Sequence, residues 1–309
     1  MKMQPIKLKP AFKDYIWGGT RLRDDYKMES DMSPLAEAWV LSCHPDGESV
    51  AAEGEHEGKT LREIIDLLGK ECLGNNAQHF PFFPILIKLI DAKQSLSVQV
   101  HPSDEYALKN ENQFGKTEMW YVVDCDEGAC LYYGFKNDIS REEFKKRIDD
   151  NTLTDVLNEV PVKKGDCFFI TAGTIHAIGA GILIAEIQQN SNCTYRVYDF
   201  GRLGADGKPR ELHIDKALAV TERTAPTIPF GKPQKATLAS CEYFTAIHHE
   251  VKGEKVLTVG EDSFAALLCV DGRVTVDGVA LSAGECAFIP AYYGEVTLAG
   301  DAQVIESRV

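Results

Sequence analysis

The stretch QSLSVQVHP (residues 94–102) decides how this chain is read. With the two-residue period of a strand, Ser95, Ser97, Gln99 and His101 fall on one face, and Leu96, Val98 and Val100 on the other. The pairing of Gln99 with His101 aims an amide and an imidazole the same way, which marks that polar face as a candidate metal site rather than a merely solvated one. GKTEMWYVV (residues 115–123) repeats the device, with Lys116, Glu118 and Trp120 on one face and Thr117, Met119 and Tyr121 on the other. A glutamate heading an aromatic and aliphatic strand is costly to bury unless it is paired or bound to metal. His176, in the turn before another apolar run, supplies a third strong ligand.

Gln99, His101, Glu118 and His176 make a nitrogen and oxygen donor set that suits one zinc ion, with cobalt, manganese or iron(II) chemically allowed. Histidines taken singly are more often structural. His44, His56, His79, His248 and His249 are read that way, and His213 is left unassigned.

Outward from these segments, apolar or alternating runs at residues 82–90, 96–100, 119–123, 167–171, 182–187 and 264–270 are broken by Gly, Asp and Asn. That is the rhythm of an antiparallel β protein. Helical patterns are confined chiefly to residues 60–68 (TLREIIDLL) and 140–157, where SREE offers a capping box and Phe144, Ile148 and Leu153 form a sparse stripe. The expected fold is all-β with a few peripheral helices.

TERTAPTIPFGKPQ (residues 221–234) has three prolines and little periodicity, so it reads as a linker. An echo crosses it: GDCFFITAGTIHAI (residues 165–178) lies over GECAFIPAYYGEV (residues 284–296), with His176 matched by Glu295. Both copies resemble the second cupin motif, although Thr171 replaces the usual proline in the first, and Tyr292 and Glu295 replace its glycine and histidine in the second. The resemblance implies two cupin-like jelly-roll barrels. The expected division is a metal-binding catalytic domain over residues 1–222 with helical insertions, a Pro-rich linker at 223–234, and a smaller degenerate domain without metal at 235–309.

Bulk properties narrow the function. The 309 residues are 44% apolar and 26% charged, as in an ordinary globular protein. A formal net charge of -14 without a Lys/Arg cluster argues against nucleic acid. The sequence shows neither a secretory leader pattern nor an apolar run of roughly 20 residues, so the expectation is a cytoplasmic protein with no membrane and no implied protein partner. Nine cysteines without a CxxC pair are expected to be reduced, buried thiols. No Walker or dinucleotide fingerprint is present.

Together IWGG (16–19), AEAWVLS (36–42), LSVQVHP (96–102), GKTEMWYVV, GTIHAIGAG (173–181), QQNSNCTYRVYDFGR (188–202) and ELHIDKAL (211–218) resemble type I mannose-6-phosphate isomerase in its short bacterial form, from about residue 10 to the C-terminus. The resemblance implies metal-dependent interconversion of mannose 6-phosphate and fructose 6-phosphate through an enediolate, with a small phosphorylated sugar as substrate. By position it places the metal ligands on Gln99, His101, Glu118 and His176 and an active-site arginine on Arg196. Lys116 becomes an acid/base candidate, and Trp17, Ser97, Lys116 and Arg196 become substrate contacts. Arg196 is also read as sharing a strand face with Tyr198. Asn192 departs from the pattern, which has an aspartate there. That departure, with a second barrel lacking metal, keeps open a non-catalytic sugar-phosphate-binding cupin. A third reading is an oxygen-using cupin with His101, Glu118 and His176 as a facial triad for iron(II).

Overall fold

The computed structural model describes residues 4–204, 207–226, 231 and 235–309. Residues 227–230 and 232–234 of the expected linker lie outside them. The architecture is mostly β and cupin-like, with three large antiparallel sheets and peripheral helices.

A six-stranded sheet runs in the order Cys167–Ile170, Glu118–Cys125, Ile182–Gln189, Ile85–Ala92, Glu37–Leu41 and Ala11–Lys13. One of its faces meets a five-stranded sheet ordered Leu157–Pro161, Cys130–Phe135, His176–Ala177, Val98–Val100 and Tyr195–Tyr198. The apolar cluster between them joins Ile90, Trp120, Phe168 and Ile184 to Leu96, Leu131, Tyr133 and Val160. The other face of the six-stranded sheet packs through Val40, Ile87, Met119 and Ile187 onto Phe244, Phe264, Leu268 and Phe288 of the C-terminal sheet. A sheet covered on both sides has no solvent face, so Ile85–Ala92 and Ile182–Gln189 are buried at every position and read as apolar runs rather than alternating ones.

The outer face of the five-stranded sheet is covered instead by helices Arg141–Asp149 and Ile214–Val220, through Phe144, Ile148, Ala217 and Leu218 against Val98, Val100 and Phe135. The helical pattern expected over residues 140–157 ends early. Asn151 turns left-handed at φ 57°, and a separate 3-10 turn follows at Leu153–Val156. Asparagine adopts that conformation more readily than most residues. Ser140 caps the helix by accepting from Glu143 N at 3.0 Å, while the Glu143 carboxylate pairs with Arg147 at 2.7 Å. Leu61–Leu68 has the full capping box between Thr60 and Glu63.

The third sheet has eight strands: Thr237–Ser240, Thr245–Val259, Gly294–Arg308, Ala265–Val276, Val279–Ser282, Cys286–Ile289, and from the other end of the chain Ile6–Lys9 and Val50–Ala51. Ile6 pairs with Phe288 and Leu8 with Cys286, so the first strand of the protein is built into the sheet of its last segment. The repeated strand–turn unit is visible in the backbone. Gly165 and Gly284 have φ of 90° and 89°, and Gly173 and Tyr292 have 88° and 62°. The second copy keeps the turn although it has lost both the glycine and the histidine.

Within this sheet Glu306 is 1% exposed, accepts from His249 Nε2 at 2.7 Å and is ion-paired to Arg308. Burial opposes its charge, but His249 and Arg308 hold the carboxyl below its ordinary 4.5. Its stabilising contribution is therefore complete above pH 4.5 and is lost as pH falls through the lower folded value. Glu306→Gln is expected to cost about 1–3 kcal/mol at neutral pH, less than a fully buried pair because Arg308 is partly exposed, and to flatten the acid limb of the stability curve. Thermal denaturation as a function of pH measures both effects.

Candidate metal centre

Adjacent strands of the five-stranded sheet set up the first part of the site. His176 is directly opposite Gln99 and Gln99 is directly opposite Arg196, giving a row of three side chains on one face. Two residues beyond Gln99, His101 continues that face. Glu118 comes from the facing six-stranded sheet, where it is paired with Gln188 and Ile170. His101, Glu118 and His176 are each buried, and one ligand atom from each lies within 4.8 Å of the others. His101 Nε2 is 3.6 Å from Glu118 Oε2, His176 Nε2 is 3.4 Å from Glu118 Oε1, and Gln99 Nε2 is 3.5 Å from His176 Nε2. Rotating the Gln99 amide exchanges its nitrogen and oxygen without moving the carbon skeleton, so its oxygen is available to the same centre.

The surroundings orient these groups as they would need to be to hold a metal. His101 Nδ1 donates to Cys193 O at 3.0 Å and His176 Nδ1 donates to Thr174 O at 2.8 Å, which leaves both Nε2 atoms as acceptors facing Glu118. Burial, then Lys116, pushes His101 down to about 4, and burial lowers His176 as well, so both imidazoles are neutral near pH 7. Burial opposes ionisation of Glu118, but the Lys116 ammonium holds it well below the ordinary range. Glu118 Oε2 is ion-paired to Lys116 Nζ at 2.6 Å, while Oε1 has no hydrogen-bond partner. An anionic, fully buried carboxylate beside two neutral, pre-oriented imidazoles fits a divalent cation.

A line of buried charge leads away from the centre. Lys116 Nζ is 3.5 Å from Glu186, and Lys88 Nζ is 3.2 Å from Glu186 and 3.9 Å from Glu37. Trp120 Nε1 donates to Glu186 at 3.0 Å and Trp39 Nε1 to Glu37 at 2.6 Å. The two tryptophans thus fix carboxylates as well as filling the core. These groups border a cavity of about 260 Å³ that is also lined by Tyr15, Trp17, Ser97, Gln99, Asn192, Thr194, Arg196 and Arg210.

Each residue singled out from the sequence lies at this cavity or at the donor cluster beside it. Trp17 is buried and stacks on Tyr15 at 5.5 Å. Gly18 and Gly19 serve packing: a Cβ on Gly18 would sit 2.4 Å from Ala36 Cβ, and one on Gly19 2.2 Å from Asp91 Oδ2. Arg196 does not share a face with Tyr198. The register slips between them, so Tyr198 pairs with Val98 while Arg196 pairs with Gln99, and the bulge turns Tyr198 toward the apolar cluster on the opposite side. His213, left unassigned in the sequence, accepts from Arg196 N at 3.1 Å, and Arg196 Nη1 donates to Glu211 O at 2.9 Å. Asn192, standing where an aspartate was expected, donates from Nδ2 to Asp46 Oδ2 of another segment at 3.1 Å. All nine cysteines are free thiols, and no helix among the described residues is long and apolar enough to cross a membrane.

Sequence reasoning missed Glu37, Lys88, Glu186 and Arg210. The signal for two of them is present: a lysine inside ILIKLI and a glutamate inside ILIAEI are ionisable groups in runs that otherwise belong wholly to the interior.

Known proteins resemble this chain over its whole length. Residues 6–132 match the sequence profile described as phosphomannose isomerase type I, catalytic domain, and residues 234–309 match that of the mannose-6-phosphate isomerase cupin domain. The chain is 36% identical over 321 residues to a mannose-6-phosphate isomerase of Streptococcus mutans, covering 99% of this chain and 98% of the relative. It is 38% identical over 328 residues to the mannose-6-phosphate isomerase ManA of Bacillus subtilis, covering 100% of both. The crystal structure of a mannose 6-phosphate isomerase from Bacillus subtilis superposes with a TM-score of 0.89 at 34% identity, over 99% of this chain and 100% of that one.

Proposed function

The chain belongs to the type I phosphomannose isomerase family, and from that premise we propose that it interconverts mannose 6-phosphate and fructose 6-phosphate with one zinc ion held by Gln99, His101, Glu118 and His176. The observation that carries this reading is the convergence of the His101, Glu118 and His176 ligand atoms within 4.8 Å beside a cavity lined by Arg196.

The reaction moves a proton between C1 and C2 of the sugar while an enediolate carries negative charge on two neighbouring oxygens. A bound divalent cation supplies Lewis-acid stabilisation of that charge, of several kcal/mol. The rest falls to the chain. Arg196 presents a permanently charged guanidinium beside Gln99, positioned by Glu211 O and by the bond from its own backbone nitrogen to His213, so its field is fixed before charge develops. Lys116 Nζ, held by Glu118 and Glu186, is the group assigned to give and recover the hydroxyl proton. Trp17 and Ser97 are assigned to wall the sugar, and Glu37, Lys88 and Glu186 keep the inner end of the cavity charged and ordered.

The test is a coupled isomerase assay beside elemental analysis of the same sample. The expected result is turnover of mannose 6-phosphate that disappears with a chelator and returns with zinc. Binding of the sugar phosphate by fully metallated protein without turnover would instead favour the non-catalytic binding protein, a reading to which the Asn192 substitution points.

A further inference from the structure

The four cations that line the cavity are not equivalent. Lys88 is fixed between Glu186 and Glu37, and Lys116 between Glu118 and Glu186, so both lysines already face carboxylates. At the other end, Arg196, Arg202 and Arg210 gather around one buried aspartate. Asp199 is 6% exposed, receives Arg210 Nε at 2.7 Å and Arg210 Nη2 at 2.6 Å, and also pairs with Arg202 at 2.5 Å. Arg202 Nη1 donates to Ser95 O at 2.5 Å, tying this loop to the segment that precedes the Gln99 strand. Arg196 Nε is buried without a hydrogen-bond partner. The charged groups acting most on Arg196 are Arg210, Asp199, Arg202 and Glu211, so with Arg196 itself counted, three guanidiniums face two carboxylates among these described residues.

The place of this excess matters as much as its sign. Arg196 is opposite Gln99 and Tyr198 is opposite Val98, so the next residue, Asp199, comes level with Ser97. Ser97 lies on the same face as Gln99, about 7 Å along the strand at 3.3 Å per residue, and its buried side chain lines the cavity. A hexose lying along this face with C1 and C2 at the donor cluster carries its sixth carbon toward Ser97 and Arg210.

We propose that Arg210, fixed by Asp199 and assisted by Arg196 and the Ser97 hydroxyl, is the anchor for the dianionic phosphate of the substrate. This deepens the reading above and rests on it. Asp199 is a positioning residue: its two oxygens hold the Arg210 fork, and its single charge leaves the cluster cationic. Arg202 braces the loop without lining the cavity.

The test is Arg210→Gln, which removes charge while keeping length, read by steady-state kinetics and by calorimetric titration with inorganic phosphate. The expected result is a KM for mannose 6-phosphate and a phosphate inhibition constant both weakened on the order of 10²-fold, with a much smaller fall in kcat and with metal content and melting temperature retained. Arg210→Lys should recover part of the phosphate affinity, and Asp199→Asn should shift KM more than kcat. Phosphate affinity unchanged in Arg210→Gln, in protein of wild-type melting temperature, overturns the proposal. If wild-type protein shows no turnover, the isomerase reading fails by itself, and the phosphate titration of wild type against Arg210→Gln still decides this one. Wild-type protein that binds neither phosphate nor the sugar phosphate also overturns it.

Discussion

Glu118→Gln is expected to strip the centre of its metal and to lower turnover on the order of 10³-fold, with elemental analysis and the coupled assay as the two readouts. Glutamine keeps the size of the side chain, so packing against the buried strand is preserved and the loss reports charge. Glu118 is the sole carboxylate in the donor cluster, and the two imidazoles beside it are neutral. A divalent cation there would lose its only anionic ligand while the Lys116 ammonium, 2.6 Å from the substituted group, remained to repel it. Protein that retains a full complement of metal, or more than about a tenth of its activity, after this change would sink the ligand assignment.

The second large effect is expected from Arg196→Ala. The variant should fold and hold metal, because Arg196 is opposite Gln99 in the register but is not part of the ligand cluster. Its kcat should fall on the order of 10²-fold or more, with KM changing less, since the guanidinium interacts more strongly with an enediolate than with the neutral carbonyl that precedes it. Arg196→Lys should recover little. A single ammonium lacks the planar fork that lets one end donate to Glu211 O while the other faces the cavity. A kcat within a few-fold of wild type, measured on metal-replete Arg196→Ala, would remove this arginine from the chemistry.

The convergence of Gln99, His101, Glu118 and His176 was legible because side chains on strands obey the two-residue period. Gln99 and His101 had to share a face wherever their strand went, and Lys116, Glu118 and Trp120 likewise. Two things hid the rest. Ile85–Ala92 and Ile182–Gln189 are covered on both faces, so the alternation that normally separates inside from outside is absent, and Lys88 and Glu186 look like blemishes in a core rather than partners 3.2 Å apart. The bulge after Arg196 breaks the period itself, and a count of two from Arg196 to Tyr198 lands on the wrong side of the sheet. Arg210 was hidden for a third reason. It lies outside any strand, after Tyr195–Tyr198, so no periodicity points from it to Asp199.

The pairing of Ile6–Lys9 with Cys286–Ile289 bears on how the molecule is made. A ribosome delivers Ile6–Lys9 long before Cys286–Ile289, the neighbour it must zip against, has been translated. The edge of Ile6–Lys9 opposite Val50–Ala51 therefore waits unpaired until that late segment emerges. An expressed fragment ending before the C-terminal sheet would leave that strand permanently without its neighbour, and with it an open, adhesive edge. Two fragments divided at the proline-rich segment are therefore expected not to mature separately.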